Sequence, residues 1–409
     1  MTSQDLRAIE RAIAAHRAGR LKEAEAGYRR VLRRRPRDPD ALHFLGLLSF
    51  QRGDSDRAIS MMRTSLELAP RNPHAWINLG NVLLARGTVE GAQQAYERAI
   101  ELAPESAEAW YDLGVCHRRQ GESNKAVVCL MEAVRRRPDY LPGLQVLARL
   151  YYQLGRFEEA AAVYAQWLEL EPENPIARHM AVATKRGEAP ARADDAYVRQ
   201  MFDEFADSFD ENLADLGYQA PQLVAEVVEH HASAAGRKLD LLDAGCGTGL
   251  CGPLLRPLAR HLCGIDLSAG MLAHAEERGV YDELHEAELC AFMRSQPVSF
   301  DLVVSADTLV YFGDLGDPIE AAARCLRPAG VLVFTVERLD DSAAVPYRIE
   351  PHGRYAHRSK YIEGLLATHG LQLERIDEVR LRKERGADVI GYRIAASKSP
   401  ESGSAAGTD

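Results

Sequence analysis

Residues 239–249 read LDLLDAGCGTG. An apolar run ends in an acid, Asp243, and then breaks into Gly245, Gly247 and Gly249, the pattern of a buried strand entering a tight loop. Glycines alternating with small residues let the backbone turn sharply and lie against a ligand with no Cβ in between. The spacing also separates ligand classes. A dinucleotide fingerprint has its third glycine three positions after the second, and here that position is Leu250. The charges agree with this: Asp243 precedes the loop and no Lys or Arg follows until Arg256, so the loop favours a cationic ligand over a pyrophosphate.

After the loop, residues 250–258 are expected to be a helix interrupted by Pro253 and Pro257, and HLCGID ends a second strand at Asp266. Asp266 lies 21 residues after Gly245, the span of a strand–helix–strand unit whose acid reaches a ribose. DAGCGTG followed by GIDLS resembles the class I S-adenosylmethionine (AdoMet)-dependent methyltransferases. The resemblance implies a Rossmann-like α/β domain with a mainly parallel seven-stranded sheet. It also implies transfer of a methyl group from AdoMet to an acceptor, leaving S-adenosylhomocysteine, with no metal. On the matching positions, Asp243, Gly245, Cys246, Gly247, Gly249, Asp266 and Leu267 bind the cofactor. Glu288, Leu289 and Cys290 border its adenine, although Glu288 stands where the family usually has Asp. Asp307, in SADTLVYF, faces the methionine part and the acceptor, with Thr308 and Tyr311 on the same loop.

Downstream the chain alternates apolar strand-like runs with helical patterns, which gives a doubly wound sheet with ligands at the strand C-termini. Ahead of the first strand, Phe202, Phe205, Phe209, Leu213 and Leu216 recur at helical spacing. Such a helix packs on the sheet or, as the resemblance implies, folds over the cofactor, with Phe205, Phe209 and Tyr218 as lid residues. Past Glu337, the cluster Tyr347, Arg348, His352, Arg354, Tyr355 and His357 is too polar for a core strand and is read as the acceptor-binding region. His352 and His357 are five apart and do not share a helix face, so a metal pair is not expected. PHGRYAHRSKYI is similar to a segment of methyltransferases fused to repeat arrays. An acceptor that must lose a proton needs a base, for which His357 and then Asp307 are the candidates, with Tyr311 beside them.

The first half is periodic. Pro36, Pro70, Pro104, Pro138 and Pro172 are 34 residues apart, as are Ala24, Ala58, Ala92, Ala126 and Ala160, and Gly19, Gly53, Gly87, Gly121 and Gly155. The alanines let two helices approach, and the glycines and prolines end them, so the unit is a helix–turn–helix. Trp76, Leu79, Gly80, Ala92, Tyr96 and Pro104, repeated as Trp110, Leu113, Gly114, Ala126 and Pro138, resemble the tetratricopeptide (TPR) pattern. The resemblance implies an all-α superhelix whose concave face binds a peptide or protein. Asn81, Tyr111, Arg118 and Arg149 are the groove candidates. A carboxylate clamp is not expected, because its lysines are missing and Asp112 stands where a second Asn belongs. The tryptophans are read as packing residues.

The organisation expected is therefore five repeats and a capping helix over residues 1–185, a linker over 186–195, a methyltransferase domain over 196–398, and a mobile tail over 399–409. With 409 residues and 46% apolar content, each domain can bury a core. The first residues are charged and no apolar run of membrane length occurs, so a cytoplasmic protein is expected. Seven cysteines without a CxxC pair point to neither zinc nor disulfides. The net charge of −10 is concentrated in the half with the glycine loop, which disfavours nucleic acid. Besides a methyltransferase that recruits a peptide or protein, two readings stay open: a small-molecule methyltransferase whose repeats serve assembly, and a non-catalytic AdoMet-binding scaffold. The oligomeric state is not legible.

Overall fold

Gly19, Gly53, Gly87 and Gly121 adopt φ between +73° and +85°, the left-handed backbone that stops a helix. They follow the first helices of four successive pairs: α1 (Ser3–Arg17) and α2 (Leu21–Arg34), α3 (Pro39–Gln51) and α4 (Ser55–Leu68), α5 (Pro73–Ala85) and α6 (Val89–Leu102), α7 (Ala107–Arg119) and α8 (Ser123–Arg136). Asp38, Asp54, Asn72 and Ser106 cap the starts of α3, α4, α5 and α7 with side-chain oxygens. Within pairs, Ala24, Ala58, Ala92 and Ala126 are fully buried. A Cβ on Gly80 would stand 2.5 Å from the Tyr96 ring, which is why the helices cross at a glycine. Trp76 Nε1 donates to the Pro70 carbonyl and Trp110 Nε1 to the Pro104 carbonyl, each at 2.9 Å, so these indoles pin the turns between repeats.

The computed structural model describes residues 3–185 and 189–400. Residues 186–188 of the expected linker, and the tail from 401, lie outside the described residues. The chain divides into two compact units, 1–151 and 152–409, and the division falls inside α9 (Leu141–Gln153). The end of the repeat pattern, α10 (Phe157–Leu170) and α11 (Pro175–Lys185), thus shares a unit with the sheet. There, His179 on α11 bonds the Gly353 carbonyl at 2.7 Å and stacks on Tyr197 with ring centroids 3.8 Å apart. Tyr197 belongs to α12 (Asp195–Phe205), which is followed by α13 (Phe209–Asp215) and α14 (Ala220–Ala235).

The sheet then begins. β1 (Leu239–Ala244), β2 (Ala259–Asp266), β3 (Glu283–Glu286), β4 (Phe300–Ser305) and β5 (Leu326–Arg338) pair in parallel in the order β3-β2-β1-β4-β5. Between β1 and β2 only α15 (Gly252–Leu255) is helical, shorter than the expected 250–258: Pro253 sits in its first turn and Pro257 follows two residues after its end. The remaining crossovers carry α16 (Ala269–Glu277), α17 (Leu289–Ser295) and α18 (Gly316–Cys325). Two three-residue strands, β6 (Tyr347–Ile349) and β7 (Tyr355–His357), add to the seven that were expected, β7 pairing with the last residues of β5. After α19 (Ser359–Thr368), β8 (Leu371–Glu384) and β9 (Ala387–Lys398) form a long hairpin whose β9 runs antiparallel to β5. Arg385 and Gly386 at its tip both have positive φ, as a tight hairpin turn requires. One core layer sets α18 and α19 against the sheet and the other sets α14 there, so both faces of β1, β4 and β5 are covered.

The strand order reverses between β1 and β4, and a crevice opens where it does. No described helix is long and apolar enough to cross a membrane.

Candidate functional site

Asp243, at the end of β1, is 1% exposed; its Oδ2 accepts a 2.7 Å bond from the Tyr281 hydroxyl and its Oδ1 has no partner. Burial pushes its pKa up to about 7, against the lowering effect of that hydroxyl. The loop that follows is possible only for glycine where it turns. Gly245 has φ +81°, and a Cβ there would collide with Thr308 at 2.3 Å. Gly247 has φ +56° and open space where a Cβ would be, so bare backbone faces the crevice. At the end of β2, the Asp266 carboxylate accepts bonds from the amides of Gly247 and Ser268, each at 2.9 Å. That pair of bonds joins the two strand ends into one wall.

The crevice has a cavity volume of about 190 Å³. Gly245, Cys246, Gly247, Asp266, Leu267, Glu288, Leu289, Asp307, Tyr311, Tyr218 and Arg354 line it, so the structure brings these expected residues together. Gly249 and Phe205 are not among the lining residues, and Asp243 and Cys290 are buried behind them. Phe202 and Phe209, with Leu213 and Leu216, close the crevice from α12, α13 and the turn beyond. This segment is fastened down by charge. Asp210 accepts from the Thr248 hydroxyl and pairs with Arg278, Asp203 accepts from the Ser268 hydroxyl, and Asp207 faces His274 at 3.3 Å.

Asp307 follows β4 and lines the crevice. It has φ +57°, a backbone strain that a non-glycine residue seldom carries, and its amide is held by Thr335 Oγ1 at 2.8 Å. Its Oδ2 accepts from Arg382 at 2.8 Å, while Oδ1 is buried without a partner. Desolvation raises the pKa of this carboxyl, with Arg382 opposing. Arg382 also pairs with Glu337 and Glu384, Arg354 with the same two acids, and His352 with Glu337 at 3.1 Å. Arg382, Glu337 and Glu384 were not anticipated. Arg382 and Glu384 are two apart on β8 and Glu337 lies on β5, so the three meet only through the folded sheet.

His357 requires a correction. Its ring is fully buried, Nε2–H donates to the carbonyls of Phe312 and Gly313 at 2.8 and 3.1 Å, and it does not line the crevice. Burial lowers its pKa to about 4. It secures the loop after β4, a structural task. Tyr347, Arg348, His352 and Tyr355 also lie outside the lining. Tyr347 and Tyr355 pack edge to face, Arg348 pairs with Glu350, and the Tyr355 hydroxyl donates to the Pro190 carbonyl at 2.8 Å. In the repeats, Asn81 accepts from the Tyr96 hydroxyl at 2.7 Å, and Tyr111 packs edge to face on Tyr140. Arg118 and Arg149 are exposed.

Of residues 189–194, within the expected linker, Arg192 and Ala193 line the crevice. Ala191 and Ala193 exchange backbone bonds with residues 311–314. Arg192 lies over the Phe312 ring and pairs with Glu288 at 2.8 Å. Glu288 itself caps α17 through the Ala291 amide. A cluster that spacing alone had hidden also emerges: Cys263, Glu283 and His285 converge across β2 and β3.

The profile of a methyltransferase domain matches residues 242–334, a tetratricopeptide repeat profile matches 9–73, and the TPR domain profile of cytochrome c-type biogenesis protein H matches 60–177. A malonyl-[acyl-carrier protein] O-methyltransferase of Acetivibrio thermocellus is 35% identical over 103 residues, covering 24% of this chain and 35% of that protein. A ubiquinone biosynthesis O-methyltransferase of Methylococcus capsulatus is 32% identical over 114 residues, or 27% of this chain and 47% of that one. A probable S-adenosylmethionine-dependent methyltransferase of Mycolicibacterium smegmatis is 32% identical over 142 residues, or 34% and 54%. The chain spans about half the length of these relatives, or less. Glycine loop, spaced acids and matched profiles agree: the chain carries an S-adenosylmethionine-dependent methyltransferase domain joined to tetratricopeptide repeats.

Proposed function

We propose that the protein transfers the methyl group of AdoMet to a peptide or protein acceptor recruited by its repeats. One observation carries the reading: a glycine loop walled by Asp266 opens on a crevice lined by Asp307, whose buried Oδ1 keeps no partner. Such an oxygen suits a ligand that brings positive charge and hydrogen-bond donors. AdoMet brings a sulfonium, an ammonium and ribose hydroxyls, and it supplies an activated methyl group. The bare backbone at Gly245 and Gly247, with Asp266, would hold it, and Glu288 and Leu289 would border the adenine.

The protein's own part is alignment and exclusion of water, which suffices for an in-line displacement. Phe202 and Phe209 exclude solvent, and Tyr218 and Tyr311 confine the reacting end. Where the acceptor is an amine or hydroxyl, Asp307 is the group placed to take its proton, since Oδ1 is unpaired and His357 is out of reach. One relative's name gives a protein-borne acceptor, a malonyl group on acyl-carrier protein.

The test is incubation of the full chain with methyl-labelled AdoMet and a cell lysate. Label is expected in protein, and Asp266→Ala is expected to abolish it. Label confined to small molecules would overturn the recruitment reading, and no label with intact AdoMet binding would overturn catalysis.

A further inference from the structure

We infer that Cys263, Glu283 and His285 form a site for a divalent cation of borderline softness, Zn2+ in the first place, at the β3 edge of the sheet. The parallel register sets Cys263 directly opposite Glu283. Side chains two apart on a strand share a face, so His261 and Cys263 of β2 project to the same side as Glu283 and His285 of β3. A thiol, a carboxylate oxygen and an imidazole nitrogen from Cys263, Glu283 and His285 thereby come within 4.8 Å of one another.

The three are graded in depth. Cys263 is 2% exposed and forms the floor of a hollow that His261, Glu283 and Phe292 also line. His285 Nε2 lies 3.0 Å from Glu283 Oε2, and its ring leans on Phe292 with centroids 5.1 Å apart, which limits its rotation. On the other side, His261 Nε2 lies 3.5 Å from Glu283 Oε1. Metal bonds of about 2.0–2.3 Å imply tetrahedral ligand separations of about 3.3–3.7 Å, so the groups need only small side-chain adjustments. Sulfur, nitrogen and oxygen together select zinc over hard cations such as Mg2+ or Ca2+. The fourth position falls to His261 or to solvent.

Binding exchanges the thiol proton for the metal: Cys263–SH and Zn2+ give a Zn–S bond and one released proton. None of the three ligands lines the crevice, so the site is separate from the proposed methyl-transfer site. It would clamp the four-residue edge strand β3 to β2, whose last residue is Asp266.

The test uses the full chain, freed of metal and titrated with Co2+ and then Zn2+. One Co2+ per chain is expected, with a thiolate charge-transfer band that Zn2+ abolishes, and a Tm that rises with Zn2+ concentration. Cys263→Ser is expected to remove the band. Glu283→Gln and His285→Ala, substitutions at the exposed rim, are expected to weaken Zn2+ binding at least about tenfold while keeping the metal-free Tm. A band that persists in Cys263→Ser, no band at all, or Zn2+ affinity unchanged in both rim variants would overturn the site.

Discussion

A carboxyl group with one bonded oxygen and one bare one, fully enclosed, is a poor contributor to stability, and Asp243 is such a group. Its unfolded pKa lies near 3.8 and its folded pKa near 7. The native state therefore holds a proton that the unfolded chain releases between these values, so stability falls as pH rises from about 4 to 7, and the whole penalty persists above 7. Asp243→Asn removes that penalty while still accepting from Tyr281. The variant is expected to gain stability at pH 8, on the order of a few kcal/mol, and to gain nothing at pH 4, as read by denaturant unfolding at both values. His357 makes the opposite case. With a folded pKa near 4 against 6.5, it stays neutral in neutral solution and contributes stability that is lost only as pH falls through that window. His357→Ala is expected to cost roughly 1–3 kcal/mol of stability, because two carbonyls lose their donor. The shape of the turnover–pH profile is expected to stay the same, and loss of its acidic limb would restore His357 as a base.

At the level of elements, legibility followed the range of the interactions. The loop after β1, the acid ending β2 and the repeat helices are encoded within a few residues of one another, by glycine spacing, apolar runs and helix stops, and all were visible in the chain. The charge network was not. LRKER at residues 381–385 reads as an exposed polar run, and only the β8–β9 hairpin turns Arg382 inward to meet Asp307 and Glu337 from distant strands. Cys263 and Glu283 are likewise 20 residues apart and meet only through strand register. His357 shows a related effect: polarity in this segment suggests an acceptor-binding region, whereas β7 carries the ring, buried, under the loop after β4. The α12–α13 segment offers an element-scale test, since Asp210 fastens it to Thr248 and Arg278. Asp210→Ala is expected to weaken S-adenosylhomocysteine binding about tenfold, roughly 1.4 kcal/mol, with little change in the Tm of the free protein. Unchanged affinity would mean that the aromatic contacts alone hold the segment in place.

Across the whole molecule, the proposed function gives the two compact units separable tasks, and that separation is measurable. A ligand that binds only the folded state stabilises it in proportion to the logarithm of its concentration over Kd, so the S-adenosylhomocysteine-induced rise in Tm reports on the crevice alone. The groove candidates lie in the other unit: Tyr111 on α7 packs on Tyr140, and Arg118 is exposed. Effects at independent sites add. The pair Tyr111→Ala and Arg118→Ala is therefore expected to leave the ligand-induced Tm rise intact while lowering methyl transfer to lysate protein by about tenfold or more. Asp266→Ala is expected to do the reverse, erasing the Tm rise. Full methyl transfer by the groove variant would mean that these side chains do not select the acceptor, and a reduced Tm rise in it would mean that the two units are energetically coupled.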